Sequence, residues 1–311
     1  MRDRIYLAGF LIGAGILLYL GRGLLRQSEL VAWGLTFGGT SAFAILAIAL
    51  YRVQDQLRAS RRELARKEAE LSFALQVQQA LFPQSFPANT GLEFSAVCVP
   101  ARGISGDYYD VISLPDGRLA FAIADVSGKG ISAAILMSNV HAGLRMLAFS
   151  GRAPGSLFTD LNRHLLQVSA DSQFTTLFYA EWDRATRRLR YINAGHLPSL
   201  LLGGRERLRL GASGPPLGLF ADAAYAAGEV ELSPGDLLAL YSDGVTEAGA
   251  TEGMEFGEER LISILTVDTS RPLIEIQRRV VGAVRDWWGK ELEDDLTLLL
   301  VRATPFTEEA S

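Results

Sequence analysis

Four aspartates stand where apolar runs end. Asp107 follows Gly106; Asp125 closes the run 119–124 and leads into Ser127-Gly128-Lys129-Gly130; Asp243 precedes Gly244; Asp294 heads Asp294-Asp295-Leu296-Thr297. A carboxylate at a strand end can be held rigidly with its head in a cleft, and a neighbouring glycine permits tight backbone and close approach of a ligand. Several such carboxylates brought together repel one another unless a divalent cation neutralises them. Oxygen-only ligands suit magnesium or manganese rather than zinc. Two such ions about 4 Å apart can share a water, lower its pKa and aim it at phosphorus. Taken singly, each fragment is weak, since Asp-Gly is an ordinary turn dipeptide. The glycine loop at 127–130 lacks the G-x-x-x-x-G-K-[ST] spacing, so a nucleotide P-loop is rejected.

The elements that must position these acids alternate in short strands and helices. Apolar runs at Leu92–Val99, 108–114, 118–126, 175–182, 189–193, 199–202, 237–242 and 296–301 read as strands, and 131–149, 155–169, Glu258–Thr266 and 272–288 as helices. The run at 237–242 is wholly apolar and is expected at the centre of its sheet. Hairpin-like neighbours, rather than regular βαβ units, imply antiparallel sheets flanked by helices.

The first fifty residues differ. Residues 5–21 and 30–51 are charge-free runs of 17 and 22 residues, joined by eight residues, and are read as a transmembrane helical hairpin. A cleaved signal peptide is the alternative for the first run, but no small-x-small site follows it. Arg2 and Arg4 precede the hairpin, and Arg52, Arg58, Arg61, Arg62, Arg66 and Lys67 follow it, which places both termini and the catalytic domain in the cytoplasm of an inner-membrane, multi-pass protein. From Val53 to Leu81 a heptad pattern on Leu57, Leu64 and Leu71, interrupted by Lys67 and Gln78, reads as a coiled-coil linker forming a homodimer; an amphipathic helix lying on the membrane or on the next domain is the alternative. The expected organisation is a hairpin at 1–51, a helical linker at 52–83 that Pro83 and Pro87 terminate, a catalytic domain at 84–303 and a disordered tail at 304–311.

Charge divides at the same place. Residues 1–82 carry 10 Lys/Arg against 6 Asp/Glu, and the remainder 20 against 29. So acidic a globular part argues against a nucleic-acid partner. The single cysteine, Cys98, excludes an intrachain disulfide and is read as a small buried hydrophobe.

Five fragments in order resemble a known family: Ser105-Gly106-Asp107-Tyr108-Tyr109-Asp110, Ala124-Asp125-Val126-Ser127-Gly128-Lys129-Gly130, Asn193-Ala194-Gly195-His196-Leu197-Pro198, Tyr241-Ser242-Asp243-Gly244-Val245-Thr246-Glu247-Ala248 and Asp294-Asp295-Leu296-Thr297. From about Ala80 to Arg302 the chain resembles the bacterial phosphatases related to SpoIIE and RsbU, within the metal-dependent superfamily of the protein phosphatase 2C (PP2C) type. The resemblance implies an αββα sandwich with two manganese or magnesium ions at one end. It implies Asp107, Asp125 (bridging), the Val126 backbone carbonyl, Asp243 and Asp294 as metal ligands, with Asp295 the alternative to Asp294. It also implies a phosphoserine or phosphothreonine substrate on a regulatory protein of the anti-sigma-factor-antagonist kind. The ending Gln78-Gln79-Ala80-Leu81-Phe82-Pro83 matches the family's regulatory linker.

Ser127 stands where the wider superfamily often carries a histidine, which leaves the proton donor to the leaving group unassigned. Arg102 matches a phosphate-binding position, with a surface arginine as the plainer reading. His196 is read as a turn-stabilising residue or a catalytic one, His141 and His164 as ordinary helix residues, and Asp110 as a support for the site or a turn cap. The competing function is a catalytically silent, membrane-tethered binding module of the same fold, which the intact acids argue against.

Overall fold

The computed structural model describes residues 9, 12–17, 19–20, 29–101, 103–169, 173–203, 206–267 and 269–305. The chain divides into two compact units, Met1–Glu70 and Leu71–Ser311. In the first, residues 9, 12–17 and 19–20 are helical, and helix α1 begins at Glu29 and continues into the second unit as far as Gln79. The run 5–21 is thus described only in part, and the connection at 22–28 lies outside the described residues. Helix α1 contains a stretch apolar and long enough to cross a membrane, and none of that stretch is buried.

Helix α1 stops at Gln79, short of Pro83. Leu81 and Phe82 turn inward to pack against the second unit's core, and the Gln84 amide donates to the carbonyls of Gln79 and Phe82, both at 2.9 Å. These bonds satisfy carbonyls that the helix end leaves unpaired.

The second unit continues with β1 (Leu92–Val99), β2 (Tyr108–Ser113), β3 (Leu119–Val126), α2 (Ile131–Ala148), α3 (Pro154–Val168), β4 (Thr175–Asp183), β5 (Arg188–Ala194), β6 (Ser199–Gly203), β7 (Glu206–Leu210), β8 (Gly228–Glu231), β9 (Leu237–Tyr241), α4 (Asp243–Thr246), α5 (Glu258–Thr266), α6 (Leu273–Trp288) and β10 (Leu296–Ala303). The strands form two five-stranded sheets, β1-β10-β9-β6-β7 and β2-β3-β4-β5-β8, and every strand pair is antiparallel. β9 is the middle strand of its sheet, as its unbroken apolar run requires.

Strand periodicity explains the layers. On β3, Leu119, Phe121 and Ile123 face the other sheet, where they meet Phe94, Leu238, Leu240 and Leu299, while Ala120, Ala122 and Ala124 face α2 and α3. The small alanine face lets the two helices approach. On β10, Leu299 and Val301 point inward between the sheets, and Leu296, Leu298 and Leu300 point outward to α5 and α6. Strands buried on both faces are therefore apolar along nearly their whole length. The result is an αββα sandwich. α2 is apolar enough to resemble a membrane span, yet seven of its residues are buried in the domain, so it is a core helix.

β7 and β8 are absent from the sequence-based strands. Both lie at sheet edges and carry charged or half-exposed residues, which hides the apolar signal that marks inner strands.

Candidate active site

Antiparallel register gathers the acids at one end of the sandwich. Tyr108 pairs with Ala124, so Asp107 stands across from Asp125 at the end of the β2–β3 pair. In the facing sheet Leu298 pairs with Tyr241, which carries Asp243 and Asp294 to the corresponding end of β9 and β10. Asp243 is the first residue of the short helix α4.

The fragments are fastened to one another. Ser242 Oγ donates to the Asp295 carbonyl at 3.0 Å and accepts from Thr297 N–H at 2.9 Å. Gly244 has to be glycine, because a Cβ there would lie 2.2 Å from the Asp295 carbonyl oxygen. Gly106 plays the matching part in the other sheet, where a Cβ would come within 3.0 Å of the Val126 carbonyl oxygen.

The doubled acids divide their work. Asp295 accepts hydrogen bonds from Ala101 N–H, Gly106 N–H and Ser105 Oγ, all at 2.8 Å, and so holds the loop that presents Asp107. Asp294, with its side chain 42% exposed, turns the other way, accepting from Lys129 Nζ at 2.6 Å and from Asp295 N–H at 2.9 Å. Lys129 also donates to the Glu293 carbonyl at 3.0 Å.

The electrostatics follow from burial and proximity. Asp107 is 2% exposed, and its Oδ2 has no hydrogen-bond partner among the described residues. Burial first, then the Asp125 charge, hold its carboxyl well above the usual range. Burial and the charges of Asp243, Asp294 and Asp295 push Asp125 up to about 7. Burial, Asp294 and Glu247 push Asp243 up to about 6. Among the described residues no three acidic, cysteine or histidine side chains already close around a common point at ligand distance. One of the four acids, Asp294, is held by Lys129.

The other sequence candidates fall into supporting places. His196 Nδ1 shares a 2.8 Å hydrogen bond with Thr176 Oγ1, its N–H donates to Asn193 Oδ1, and burial pushes the imidazole down to about 4. It stabilises the chain where β5 of one sheet passes to β6 of the other, and Gly195 there has φ 70° against Pro216. Asp110 is fully buried and accepts from Arg145 twice and from the Tyr108 hydroxyl, tying β2 to α2. Ser127 is occupied with Phe174, accepting from its N–H and donating to its carbonyl. His141 packs edge-on to Tyr108, and His164 lies beside Gly143. Arg102 lies outside the described residues. Burial pushes the Cys98 thiol up to about 12, which excludes it as a nucleophile at neutral pH.

Gln78 is a functional candidate that the sequence showed as a flaw in the heptad seam and as the first residue of the family-like linker ending, without a role at the site. Its side chain is buried; Nε2 donates to the Ser105 carbonyl at 2.7 Å and Oε1 accepts from Ser105 N–H at 2.9 Å. Its polar character at a core heptad position was the signal that it faces a backbone.

The model of the family described as Stage II sporulation protein E (SpoIIE) matches residues 115–304. The chain belongs to the SpoIIE family. Among curated SpoIIE-type relatives, the phosphoserine phosphatase RsbU of Bacillus subtilis is 31% identical over 254 residues, covering 81% of this chain and 74% of RsbU. The SiaA PP2C domain of Pseudomonas aeruginosa superposes with a TM-score of 0.69 at 22% identity, covering 77% of this chain and 98% of that domain. The PP2C domain of SpoIIE from Bacillus subtilis, solved with a fragment of its regulatory domain, superposes with a TM-score of 0.61 at 24% identity, covering 68% of this chain and 63% of that one. The second unit is thus a SpoIIE-type serine/threonine phosphatase domain of PP2C fold.

Proposed function

We propose that this chain is a membrane-anchored, divalent-cation-dependent protein phosphatase that hydrolyses phosphoserine or phosphothreonine on a regulatory protein of the anti-sigma-factor-antagonist kind. The observation that carries this reading is the meeting of Asp107, Asp125, Asp243 and Asp294 at one end of the sandwich, where the charges of Asp125, Asp243 and Asp294 raise the proton affinity of neighbouring acids. Such a cluster fits hard cations: the donors are all oxygen, and the buried Asp107 Oδ2 has no hydrogen-bond partner among the described residues. Asp107, Asp125, Asp243, Asp294 and the Val126 carbonyl would hold two magnesium or manganese ions. Asp294 is preferred over Asp295, whose oxygens are committed to the loop at 101–106. When bound, such cations offset the carboxylate charge and lower the pKa of the attacking water.

The remaining chemistry falls to the chain itself. Asp295 and Gln78 fix the Ser105–Gly106 backbone and thereby the direction of Asp107. Gly106 keeps the Val126 carbonyl clear of side-chain atoms. Water is the acceptor, and no side chain at the cluster is an activated nucleophile, so no phosphoenzyme is required. The phosphoserine substrate is supported by the likeness to RsbU. Membrane anchoring is supported by the unburied apolar stretch of α1, and the charge pattern favours both termini in the cytoplasm. Val53, Leu57, Leu64 and Leu71, all exposed in the single chain, support a homodimer through the linker. Retention of the wild-type oligomeric state and activity after truncation at Leu71 would remove that role.

Phosphate release from a phosphoserine protein tests the main reading. It should require manganese or magnesium and fall by at least about 100-fold in Asp243→Asn. Full activity in that variant, or in a chelator, would sink the assignment.

A further inference from the structure

We propose that Lys129 exchanges partners during the reaction: its ammonium holds Asp294 in the resting protein and moves to the substrate's phosphoryl group once a cation takes Asp294. The inference rests on the metal reading above and assigns a residue to which that reading gives no part.

Lys129 lies in the loop that joins Asp125 to α2, between Gly128 and Gly130, whose φ values of 96° and 76° carry the chain through a turn open to glycine. That turn aims the side chain across the cleft to the opposite sheet, where it meets Asp294 Oδ2 at 2.6 Å and the Glu293 carbonyl at 3.0 Å. Among the described residues it is the only cation bonded to any of the four clustered acids. Its charge also counters that of Asp243.

Two positive groups cannot share one oxygen of Asp294 without strong repulsion, since like charges a few ångströms apart in a partly buried site are poorly screened. The ammonium, on a flexible stem and 44% exposed, is the group free to leave. Four carboxylates balance two divalent ions, which leaves the charge of an incoming phosphoryl group uncompensated. A lysine at the mouth of the same cleft is placed to meet it by a charge-assisted hydrogen bond. Lys129 therefore weakens cation binding at Asp294 in the resting protein and strengthens phosphate binding in the loaded one.

The test uses the full chain as wild type, Lys129→Gln and Lys129→Arg. Manganese binding is read by calorimetry, and inorganic phosphate is titrated as an inhibitor of p-nitrophenyl phosphate turnover at saturating manganese. Lys129→Gln is expected to bind manganese several-fold more tightly and to need about tenfold more phosphate for half-inhibition. Lys129→Arg is expected to restore the phosphate sensitivity. Manganese affinity unchanged or weakened in Lys129→Gln, or an unchanged phosphate inhibition constant, overturns the exchange. A wild-type chain that binds no manganese overturns the metal reading and the exchange together.

Discussion

The Ser105 hydroxyl donates a 2.8 Å hydrogen bond to Asp295 Oδ2 and accepts one of 2.9 Å from Asp107 N–H. One serine thus joins the carboxylate that organises the loop to the backbone of the carboxylate that faces the cleft. Asp294 and Asp295 are adjacent in sequence and opposite in task, and their variants should differ accordingly.

Asp295→Ala removes the acceptor of three hydrogen bonds and leaves two backbone N–H groups without their partner. A loss of about 2–3 kcal/mol in stability is expected, measured by denaturant unfolding, with activity falling as the loop loosens. Asp294→Ala should unfold within about 0.5 kcal/mol of wild type and instead lose manganese-dependent turnover.

The raised carboxylates make stability depend on pH and cations together. Asp125 moves from 3.8 to about 7 and Asp243 from 3.8 to about 6. The folded protein therefore holds protons that the unfolded chain has released. This contribution is complete below about pH 4 and is lost as pH rises to about 7. In a chelator at pH 7.5, Asp125→Asn should melt above wild type, and the gap should close toward pH 4. Added manganese should reverse the order at pH 7.5. Thermal unfolding at the two pH values checks both.

Gly244→Ala is expected to be the most damaging single-methyl change at the site. The new Cβ would meet the Asp295 carbonyl oxygen at 2.2 Å, so either the β9–α4 turn or the 294–295 backbone must move. A cost of about 3 kcal/mol or more, with loss of activity, is expected by calorimetry and turnover. Gly103→Ala, with nothing within 4 Å but φ 88°, should cost only about 1 kcal/mol.

Gln78→Ala leaves the Ser105 N–H and carbonyl without their partner. About 1–3 kcal/mol of stability should be lost, and turnover should fall without a change in the pH at which activity is half-maximal. Gln78→Glu should be worse, because its carboxylate would face the Ser105 carbonyl oxygen.

Much of this was legible beforehand because the inner strands are apolar on both faces. β3, β9 and β10 declare themselves, and the acids that end them could be listed with their glycines. The edge strands β7 and β8 could not be found the same way, since solvent permits charge there. Nor could sequence separate Asp294 from Asp295. Their difference arises from register, which brings the loop at 101–106 against the second acid and Lys129 against the first. Gln78 read as a weak point in a heptad because its partner lies 27 residues away.

Cys98 gives this arrangement an experimental handle. It is the chain's only thiol, and its Sγ lies 3.4 Å from the Ser105 hydroxyl, beneath the loop that Asp295 and Gln78 hold. The thiol is half-buried, so a reagent should reach it faster as that loop lifts, and a change in labelling rate reports the opening. A single probe already present in the chain can therefore time the motion of the cleft wall in the intact protein.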